Sequence, residues 1–335
     1  MKILSFFTKL LHFLPSEFSH RLALNSLKFL HVTGLLKLLL PTQKHRSIAK
    51  KEEKEQFLEK FKNRVGFAAG LDKNGDYIDC LAALGVGFIE VGTVTPEAQN
   101  GNPKPRLFRN RSEKSLLNRL GFNNKGVDYL MNNLKNRQSK IIIGTSIGKN
   151  HNTPNEFAYR DYLLCLDKVY EFSDYVAVNI SSPNTKALRE LSDESYLRIL
   201  LSKIKSKQET LSYSFGHKPI FIKISPDEEL DNLKDICDLI IELQLDGIIC
   251  SNTTVDHLDA NGTGGLSGAP LRNKAIEKQL FIKDIVKNNI PIIASGGVMS
   301  VEDYQERVDS GADLVQVYTG FIYEGPKLIL ELVNL

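Results

Sequence analysis

The sequence predicts an α/β fold, a (β/α)8 (TIM) barrel that carries an N-terminal amphipathic helical extension. Short apolar runs rich in β-branched residues alternate with helical stretches from residue 64 to the C-terminus. Eight strand–helix units in about 270 residues match the size of this barrel. Runs such as 141–143 and 291–293 are apolar throughout, as expected of parallel strands covered on both faces. An open doubly wound sheet is the alternative, but the glycine-rich turn GxGxxG that usually follows its first strand is missing.

The barrel elements follow in chain order. The predicted strands are 64–69, 87–92, 141–146, 175–180, 219–224, 246–251, 291–295 and 314–318. The predicted helices are 75–84, 124–137, 155–172, 189–209, 228–243, 271–288, 301–310 and 323–333. Because active sites of this fold lie at the carboxyl ends of the strands, the polar residues there are the candidates for chemistry.

Charge is distributed unevenly along the 335 residues. The net charge is +3, which is too small to indicate a nucleic-acid partner. The first 50 residues carry eight basic residues and one acidic residue, and the remainder is mildly acidic. The four cysteines, Cys80, Cys165, Cys237 and Cys250, form no CxxC pair or metal-ligand cluster, so we expect no metal site and a reducing compartment.

Residues 1–45 form the predicted extension. Pro15, Glu17 and Arg21 interrupt its apolar stretches, so no run reaches the roughly 18–20 residues that span a bilayer, and no signal-peptide cleavage site is visible. Two amphipathic helices are predicted, one ending at Pro15 and one starting after Ser16. Such basic helices fit a membrane interface, or equally the surface of their own protein or a second subunit. A charged connector, predicted to be a solvated helix, follows at 46–63, and the barrel occupies 64–335.

Three strand ends carry unusual polar groups. The first strand runs into small residues and Lys73, the fourth into the run 179–185, and the sixth into the run 251–254. Each could be turn chemistry alone. Together they predict a planar ligand rich in carbonyl and N–H groups, because the carboxamides of Asn179 and Asn184 both donate and accept.

A phosphorylated cofactor is predicted at the last two strands. Glycine-rich segments at 295–297 and 318–320 match the phosphate cradle of this fold, and the loop 262–268 adds exposed backbone N–H groups. Flavin mononucleotide (FMN) fits better than a dinucleotide, since no second nucleotide-binding unit is visible. Lys223, within the apolar fifth strand, either faces solvent or, as we favour, neutralises a buried anion.

At this point the sequence resembles the dihydroorotate dehydrogenase family from about residue 15 to the C-terminus. The runs that carry the resemblance are 68–73, 92–96, 118–124, 179–185, 251–254 and 263–268. The basic N-terminal helices together with Ser182 resemble the membrane-associated, quinone-reducing class 2 branch, whereas the soluble class 1 branch generally has Cys as the base and lacks the extension.

The resemblance implies oxidation of (S)-dihydroorotate to orotate in pyrimidine biosynthesis. Hydride passes to FMN and electrons then pass to a membrane quinone. It implies a peripheral membrane protein on the cytoplasmic face of the cell membrane, bound to the bilayer surface by its N-terminal helices, and a monomer.

The resemblance also assigns roles to residues. Ser182 is the catalytic base, with Thr185 and a water as proton relay shielded by Phe122. Substrate contacts fall to Lys73, Asn118, Arg119, Leu120, Gly121, Phe122, Asn179, Asn184, Asn252 and Thr253. Flavin and phosphate contacts fall to Ala69, Gly70, Lys73, Thr93, Ser146, Asn179, Lys223, Ser251, Gly268, Gly297, Tyr318 and Thr319. His20 and Arg106 match the polar end of a quinone tunnel formed by the N-terminal helices.

Two departures and two rival interpretations remain at this stage. Ser146 stands where the family usually has Asn, and Ser251 replaces a commoner Thr. One rival is a soluble class 1-type dihydroorotate oxidase that uses fumarate or NAD. The other is a non-catalytic, flavin-binding membrane scaffold, whose function Ser182→Ala would leave untouched.

Overall fold

The computed structural model of the protein describes residues 2–40, 55–182, 194–287 and 289–335. Eight parallel strands close into a barrel in the order β1-β2-β5-β6-β7-β8-β10-β11, which confirms the predicted fold. Each predicted strand overlaps one of them. The barrel strands are β1 (Val65–Phe67), β2 (Phe88–Val94), β5 (Ile142–Ile147), β6 (Tyr175–Asn179), β7 (Ile220–Lys223), β8 (Gly247–Cys250), β10 (Ile292–Ser295) and β11 (Leu314–Val317).

Helices surround the barrel as the sequence predicts, with small differences at their ends. They are α5 (Ile78–Ala82), α6 (Val127–Asn136), α7 (Ala158–Val169), α8 (Glu194–Phe215), α9 (Leu230–Glu242), α10 (Arg272–Val286), α11 (Val301–Asp309), α12 (Thr319–Glu324) and α13 (Pro326–Leu332). The predicted helix 323–333 is wrong in one respect. The chain breaks at Gly325, whose φ is 65°, and Pro326 starts a separate helix because it lacks an N–H group.

A small antiparallel sheet, absent from the sequence prediction, covers the mouth of the barrel. It consists of β3 (Leu107–Asn110), β4 (Ser115–Asn118) and β9 (Gly265–Gly268) in the order β3-β4-β9. The prediction of an open loop across 262–268 is therefore wrong for its second half, since β9 pairs with β4 along its whole length. Glycine-rich strands of four residues carry almost no periodic signal, and pairing with a neighbour decides their structure.

The N-terminal extension contains the two predicted helices and a third. They are α1 (Lys2–Leu11), α2 (Ser16–Val32) and α3 (Leu35–Leu39), with Gly34 at φ 76° between the last two. Helix α2 packs on α5 and β3. Among the helices described, none is both long and apolar enough to cross a membrane.

The bottom of the barrel is closed by aromatic rings. Phe61, only 2% exposed, follows α4 (Glu55–Leu58) and lies edge-on to the ring of Phe88 at a centroid distance of 5.4 Å. Phe57 packs beside it on Tyr175 and Phe221. The prediction of a solvated connector is wrong for this segment, because its two phenylalanines, outnumbered by charges in the sequence, bury against the barrel floor. The first part of the connector, 46–54, lies outside the described residues.

Each large ring of the floor faces a glycine on the adjacent strand. Phe88 lies opposite Gly66, and Phe221 lies opposite Gly247. A Cβ placed on either glycine would overlap that ring. Small and large residues thus alternate around the floor, which is how a barrel interior of fixed diameter is filled.

We predict that Gly247→Ala lowers the free energy of unfolding by about 1–3 kcal/mol, the usual cost of overpacking a core. Denaturant unfolding followed by circular dichroism measures it. Gly247→Ala/Phe221→Leu should recover part of the loss, because the smaller side chain frees the space that the methyl group needs. Wild-type stability in the single variant would show that the floor is not tightly packed.

Candidate active site

A cleft of about 960 Å³ opens at the carboxyl ends of the barrel strands, beneath the small sheet. Most of the predicted site residues line it. They are Ala69, Gly70, Lys73, Thr93, Asn118, Leu120, Gly121, Phe122, Asn179, Ser182, Lys223, Ser251, Asn252, Thr253, Gly297, Tyr318 and Thr319. The closed barrel brings these residues together from loops that are distant in the sequence.

Three predicted residues do not line the cleft. Ser146 is fully buried behind Thr93, with 2.9 Å between the two hydroxyl oxygens, so it acts on the cleft only through Thr93. Arg119 stacks its guanidinium on the ring of Phe108, at 4.8 Å. Gly268 packs against the backbone at 114–115. Asn184 and Thr185 lie outside the described residues, so their assigned roles stay predictions.

Several residues that line the cleft were not predicted from the sequence. The apolar ones, such as Leu107 and Leu116, belong to the small sheet and carry no chemical signal. Gln316 had a readable signal, because a carboxamide inside the apolar strand β11 requires a polar partner within the barrel.

A buried ion pair forms the floor of the cleft. Lys223 Nζ lies 3.3 Å from Glu90 Oε1, and their side chains are 6% and 0% exposed. Glu90 Oε2 accepts further hydrogen bonds from the Tyr175 hydroxyl at 3.0 Å and from Gln316 Nε2 at 2.6 Å. A buried ion pair is tolerated only when such additional bonds satisfy it. The preferred prediction for Lys223, that it neutralises a buried anion, is confirmed.

Above this floor, Asn179 organises a hydrogen-bond network. Its amide nitrogen donates to Thr93 Oγ1 at 2.9 Å, and its carbonyl oxygen accepts from Asn252 Nδ2 at 3.3 Å. Asn252 Nδ2 also donates to Ser181 Oγ at 3.1 Å, and Ser181 Oγ donates to the Lys223 carbonyl at 2.7 Å. The carboxamides on β6 and beyond β8 are therefore held rigidly, as a site for a planar polar ligand requires.

Ser182 lines this cleft with an exposure of 6%. The Phe122 ring, also 6% exposed, packs against Gly148 and lines the same cleft. Phe122 has a φ of 51°, a conformation that residues with side chains rarely adopt and that needs support from its surroundings. Its carbonyl receives that support from Asn124 Nδ2 at 2.7 Å.

Lys73 enters the cleft from a loop that Asp72 fixes. The Asp72 carboxylate accepts the backbone N–H groups of Asp76 and Tyr77 at 2.9 and 2.7 Å. Burial and, to a smaller extent, the positive charge of Arg106 together lower the pKa of Lys73 to about 8. Lys73 thus presents a cation that is easily deprotonated and that an anionic ligand would stabilise.

The opposite end of the cleft fits a phosphate. Gly296 and Gly297 follow β10 with φ values of 95° and 80°, and a Cβ on Gly297 would lie 2.5 Å from the Arg272 Cα. Backbone atoms without side chains thus line this part of the cleft, beside Thr319. On the floor of the cleft, beside the ion pair of Lys223 and Glu90, the buried Gln316 Oε1 has no hydrogen-bond partner among the described residues, as expected of an acceptor that meets a bound ring system. Both observations fit FMN.

A second, mainly apolar cavity of about 1960 Å³ lies between α1, α2 and the barrel. Leu107 and Leu116 line both cavities, so the two meet at the small sheet. His20 lines the second cavity, and burial lowers its pKa to about 4, which leaves its imidazole neutral near pH 7.

Arg106 does not reach the second cavity as predicted. Its guanidinium donates to Glu17 at 2.8 Å and to the Asn102 carbonyl at 2.9 Å, so it clamps α2 to the barrel instead. Arg109, three residues later on β3, lines that cavity. It donates to Ser19 Oγ at 2.8 Å, while its buried Nε has no hydrogen-bond partner in the described parts of the chain. Alternate residues of β3 point to opposite faces, and the sequence alone does not say which arginine faces inward.

The cysteines play no part in this site. Cys80, Cys165, Cys237 and Cys250 are all buried and unpaired by disulfides. No group of metal-ligating side chains occurs within the described ranges.

Comparison with known proteins identifies the family. The family profile described as Dihydroorotate dehydrogenase matches residues 53–334. A protein of Nitrosomonas eutropha named dihydroorotate dehydrogenase (quinone) is 47% identical over 97% of this chain and 95% of its own. One of the same name from Aliivibrio fischeri is 48% identical over 82% of this chain and 84% of its own.

A solved structure agrees with these relatives. The crystal structure of the Eimeria tenella enzyme DHODH in complex with ferulenol superposes with a TM-score of 0.81. It is 32% identical in sequence, and the match covers 95% of this chain and 89% of that one. Together with the cleft described above, these relationships show that the chain belongs to the dihydroorotate dehydrogenase family, in its quinone-dependent class 2 branch.

Proposed function

We propose that this chain oxidises dihydroorotate to orotate in the cleft and delivers the electrons to a quinone in the second cavity. The observation that carries the proposal is that the two cavities share Leu107 and Leu116. A polar cleft and an apolar tunnel that meet at one wall suit a hydrophilic donor and a lipophilic acceptor that use the same cofactor. FMN, the cofactor of this family, would be held in the cleft and would supply the acceptor for the hydride of substrate C6 and the electrons for the quinone.

Ser182 is the base that removes the C5 proton. Its side chain is only 6% exposed and lines the same cleft as the Phe122 ring, which supports this role. An isolated hydroxyl ionises poorly near neutral pH, so the proton needs a route outward. Thr185 and a water remain the proposed relay, and Phe122 shields them from bulk solvent.

The substrate lies among carboxamides and one cation. Asn118, Asn179, Asn252 and, by resemblance, Asn184 hydrogen-bond to the pyrimidine together with Thr253, and Lys73 pairs with the substrate carboxylate. The rigid network around Asn179 supports this assignment, since it fixes the amide groups before the substrate arrives. Lys223 supplies positive charge from the floor, where Glu90 holds it.

The quinone binds in the second, mainly apolar cavity, which is the tunnel. His20, neutral at physiological pH, and Arg109 provide its polar end. Arg106 supports it indirectly by holding α2 through Glu17.

The extension attaches the protein to the surface of the cytoplasmic leaflet of the cell membrane. Its exposed apolar side chains support this, because a surface patch of this size marks an interaction site. Exposed basic residues, among them Lys9, Arg21 and Lys37, flank the patch and suit anionic lipid headgroups. The exposed apolar residues are Phe7, Leu10, Phe13, Leu14, Phe18, Leu22, Phe29, Val32, Leu35 and Leu38.

The monomeric state stays a prediction, which size-exclusion chromatography with light scattering would check.

The test of the proposed function is an anaerobic visible spectrum. Dihydroorotate should bleach the flavin band of the wild-type protein, and a quinone should restore it. In Ser182→Ala we expect the bleaching to slow by about 10²–10⁴-fold, the usual contribution of a general base. Stopped-flow absorbance measures the rate.

Ser173→Ala is the matched control for this experiment. Ser173 is also buried, but its hydroxyl donates to the Val169 carbonyl at 2.9 Å outside the cleft, so the bleaching rate should stay close to that of the wild type. Equal bleaching rates in wild type and Ser182→Ala would show that Ser182 is not the base, whereas a flavin that stays oxidised in the wild type would favour the flavin-binding scaffold.

A second prediction concerns pH. Because the pKa of Lys73 is about 8 in the free protein, its charge is present below pH 8 and lost above it. The value of kcat/KM for dihydroorotate should therefore fall by up to about tenfold per pH unit above pH 8, since this ratio reports on the free enzyme. In Lys73→Arg the fall should vanish, because a guanidinium stays charged throughout that range.

Lys125→Arg is the matched control, because Lys125 lies outside the cleft. Its kcat/KM should fall above pH 8 as in the wild type. An unchanged profile in Lys73→Arg would assign the fall to another group.

A third prediction separates the two half-reactions. Ala23 lines the tunnel, and Ala23→Phe should fill it. Reduction of the flavin by dihydroorotate should stay within about twofold of wild type, whereas reoxidation by a quinone carried in lipid vesicles should slow by at least about tenfold.

Cosedimentation with the vesicles should be the same in both proteins, because Ala23→Phe leaves the exposed apolar residues in place. Reoxidation at the wild-type rate would place the quinone site outside this cavity.

A further inference from the structure

Arg307 is a buried cation behind the glycine-rich end of the cleft. It lies on α11 with 1% of its surface exposed. Within the described ranges it forms no ion pair. The acidic residues nearest to it on the same helix, Asp303 and Glu306, both pair with Arg272 instead. A buried charge without a counter-ion is costly, so its retention calls for an explanation.

All three nitrogens of this guanidinium donate to neutral acceptors. Nη1 donates to the Gly296 carbonyl at 3.0 Å, and Nη2 donates to the Cys250 carbonyl at 2.7 Å. Nε donates to Gln279 Oε1 at 2.6 Å, and Gln279 donates back to the Arg307 carbonyl at 2.8 Å. The hydrogen bonds are satisfied, but the positive charge is not balanced.

The bond to Gly296 fixes one peptide of the cleft wall. The carbonyl oxygen of Gly296 and the N–H group of Gly297 belong to the same trans peptide and point in opposite directions. Arg307 holds the oxygen from behind. The N–H group therefore points away from Arg307, and both glycines line the cleft.

We propose that Arg307 is a positioning residue for the phosphate of FMN: it orients the Gly296–Gly297 peptide and places a fixed positive charge one peptide behind the bound phosphate. The negative charge that the buried guanidinium lacks arrives with the cofactor. Charges interact over several ångströms in a protein interior that excludes water, so direct contact is not required. This inference rests on the proposed function, in which the phosphate occupies this end of the cleft.

A purely structural role makes a different prediction. If Arg307 only braces the ends of β8 and β10, its loss weakens the whole cleft. Binding of riboflavin, which lacks the phosphate, would then suffer as much as binding of FMN. The ratio of the two affinities separates the explanations.

The experiment titrates flavin-free protein with FMN and with riboflavin, using quenching of flavin fluorescence. In Arg307→Gln we expect the Kd for FMN to rise by at least about tenfold, as for loss of a charge-assisted interaction, and the Kd for riboflavin to stay within about twofold. Arg307→Lys keeps the charge and should recover part of the preference for FMN. It also keeps the test decisive if Arg307→Gln does not fold.

Arg137→Gln is the matched control. Arg137 also donates to two backbone carbonyls, those of Leu134 and Phe172, but at the amino-terminal end of the barrel strands. Neither affinity should change. A parallel rise for both flavins in the Arg307 variants, or equal affinities for FMN and riboflavin in the wild type, would overturn the proposal. Failure of dihydroorotate to bleach the FMN-loaded wild-type protein would instead refute the proposed function and leave the affinity ratio interpretable.

Discussion

The buried ion pair between Glu90 and Lys223 divides the interior of this barrel into two parts. Below it, the aromatic rings of Phe61, Phe88 and Phe221 make a dry, close-packed floor. Above it, carboxamides and hydroxyl groups fill a polar mouth. A barrel interior of this size is normally packed with side chains from end to end, so a ligand site needs a boundary at which packing stops. The ion pair, tied to four different strands through Tyr175 and Gln316, is that boundary.

The small antiparallel sheet has the corresponding role at the top. It is only three strands of four residues, yet it separates the cleft from the tunnel and contributes Leu107 and Leu116 to both. Two arginines hold the extension here: Arg106, just before β3, is bound to Glu17, and Arg109, on β3, is bound to Ser19. The N-terminal helices are thus joined to the catalytic barrel through the wall that faces the cofactor. Their orientation and the geometry of the tunnel are fixed by the same contacts.

The sequence predicts the structure correctly where a pattern of residues is repeated. It does not do so where a single contact determines the position of a strand or side chain. The eight barrel strands were predictable because each is a continuous apolar run, and the residues at their ends could be assigned to one mouth because parallel strands point the same way. The strands at 107–118 and 265–268 were missed because four glycine-rich or mixed residues have no period. Ser146 was placed in the cleft, although its hydroxyl is turned toward Thr93. The choice between Arg106 and Arg109 depended on which face of β3 looks inward, and only the pairing of β3 with β4 determines that.

Two aromatic rings of the barrel floor come from the chain before the first barrel strand, so the barrel unit begins earlier in the sequence than its strands do. Phe57 and Phe61 precede the first barrel strand, yet the floor is incomplete without them, so the folding unit starts by Glu55 rather than at residue 64. The chain therefore closes the bottom of the barrel with one part of its N-terminal region and builds the tunnel at the mouth with another. A relative that lost α1 and α2 but kept Phe57 and Phe61 would still have a closed barrel floor and a complete polar cleft. The acceptor could then change in the course of evolution without disturbing the half of the enzyme that handles the pyrimidine.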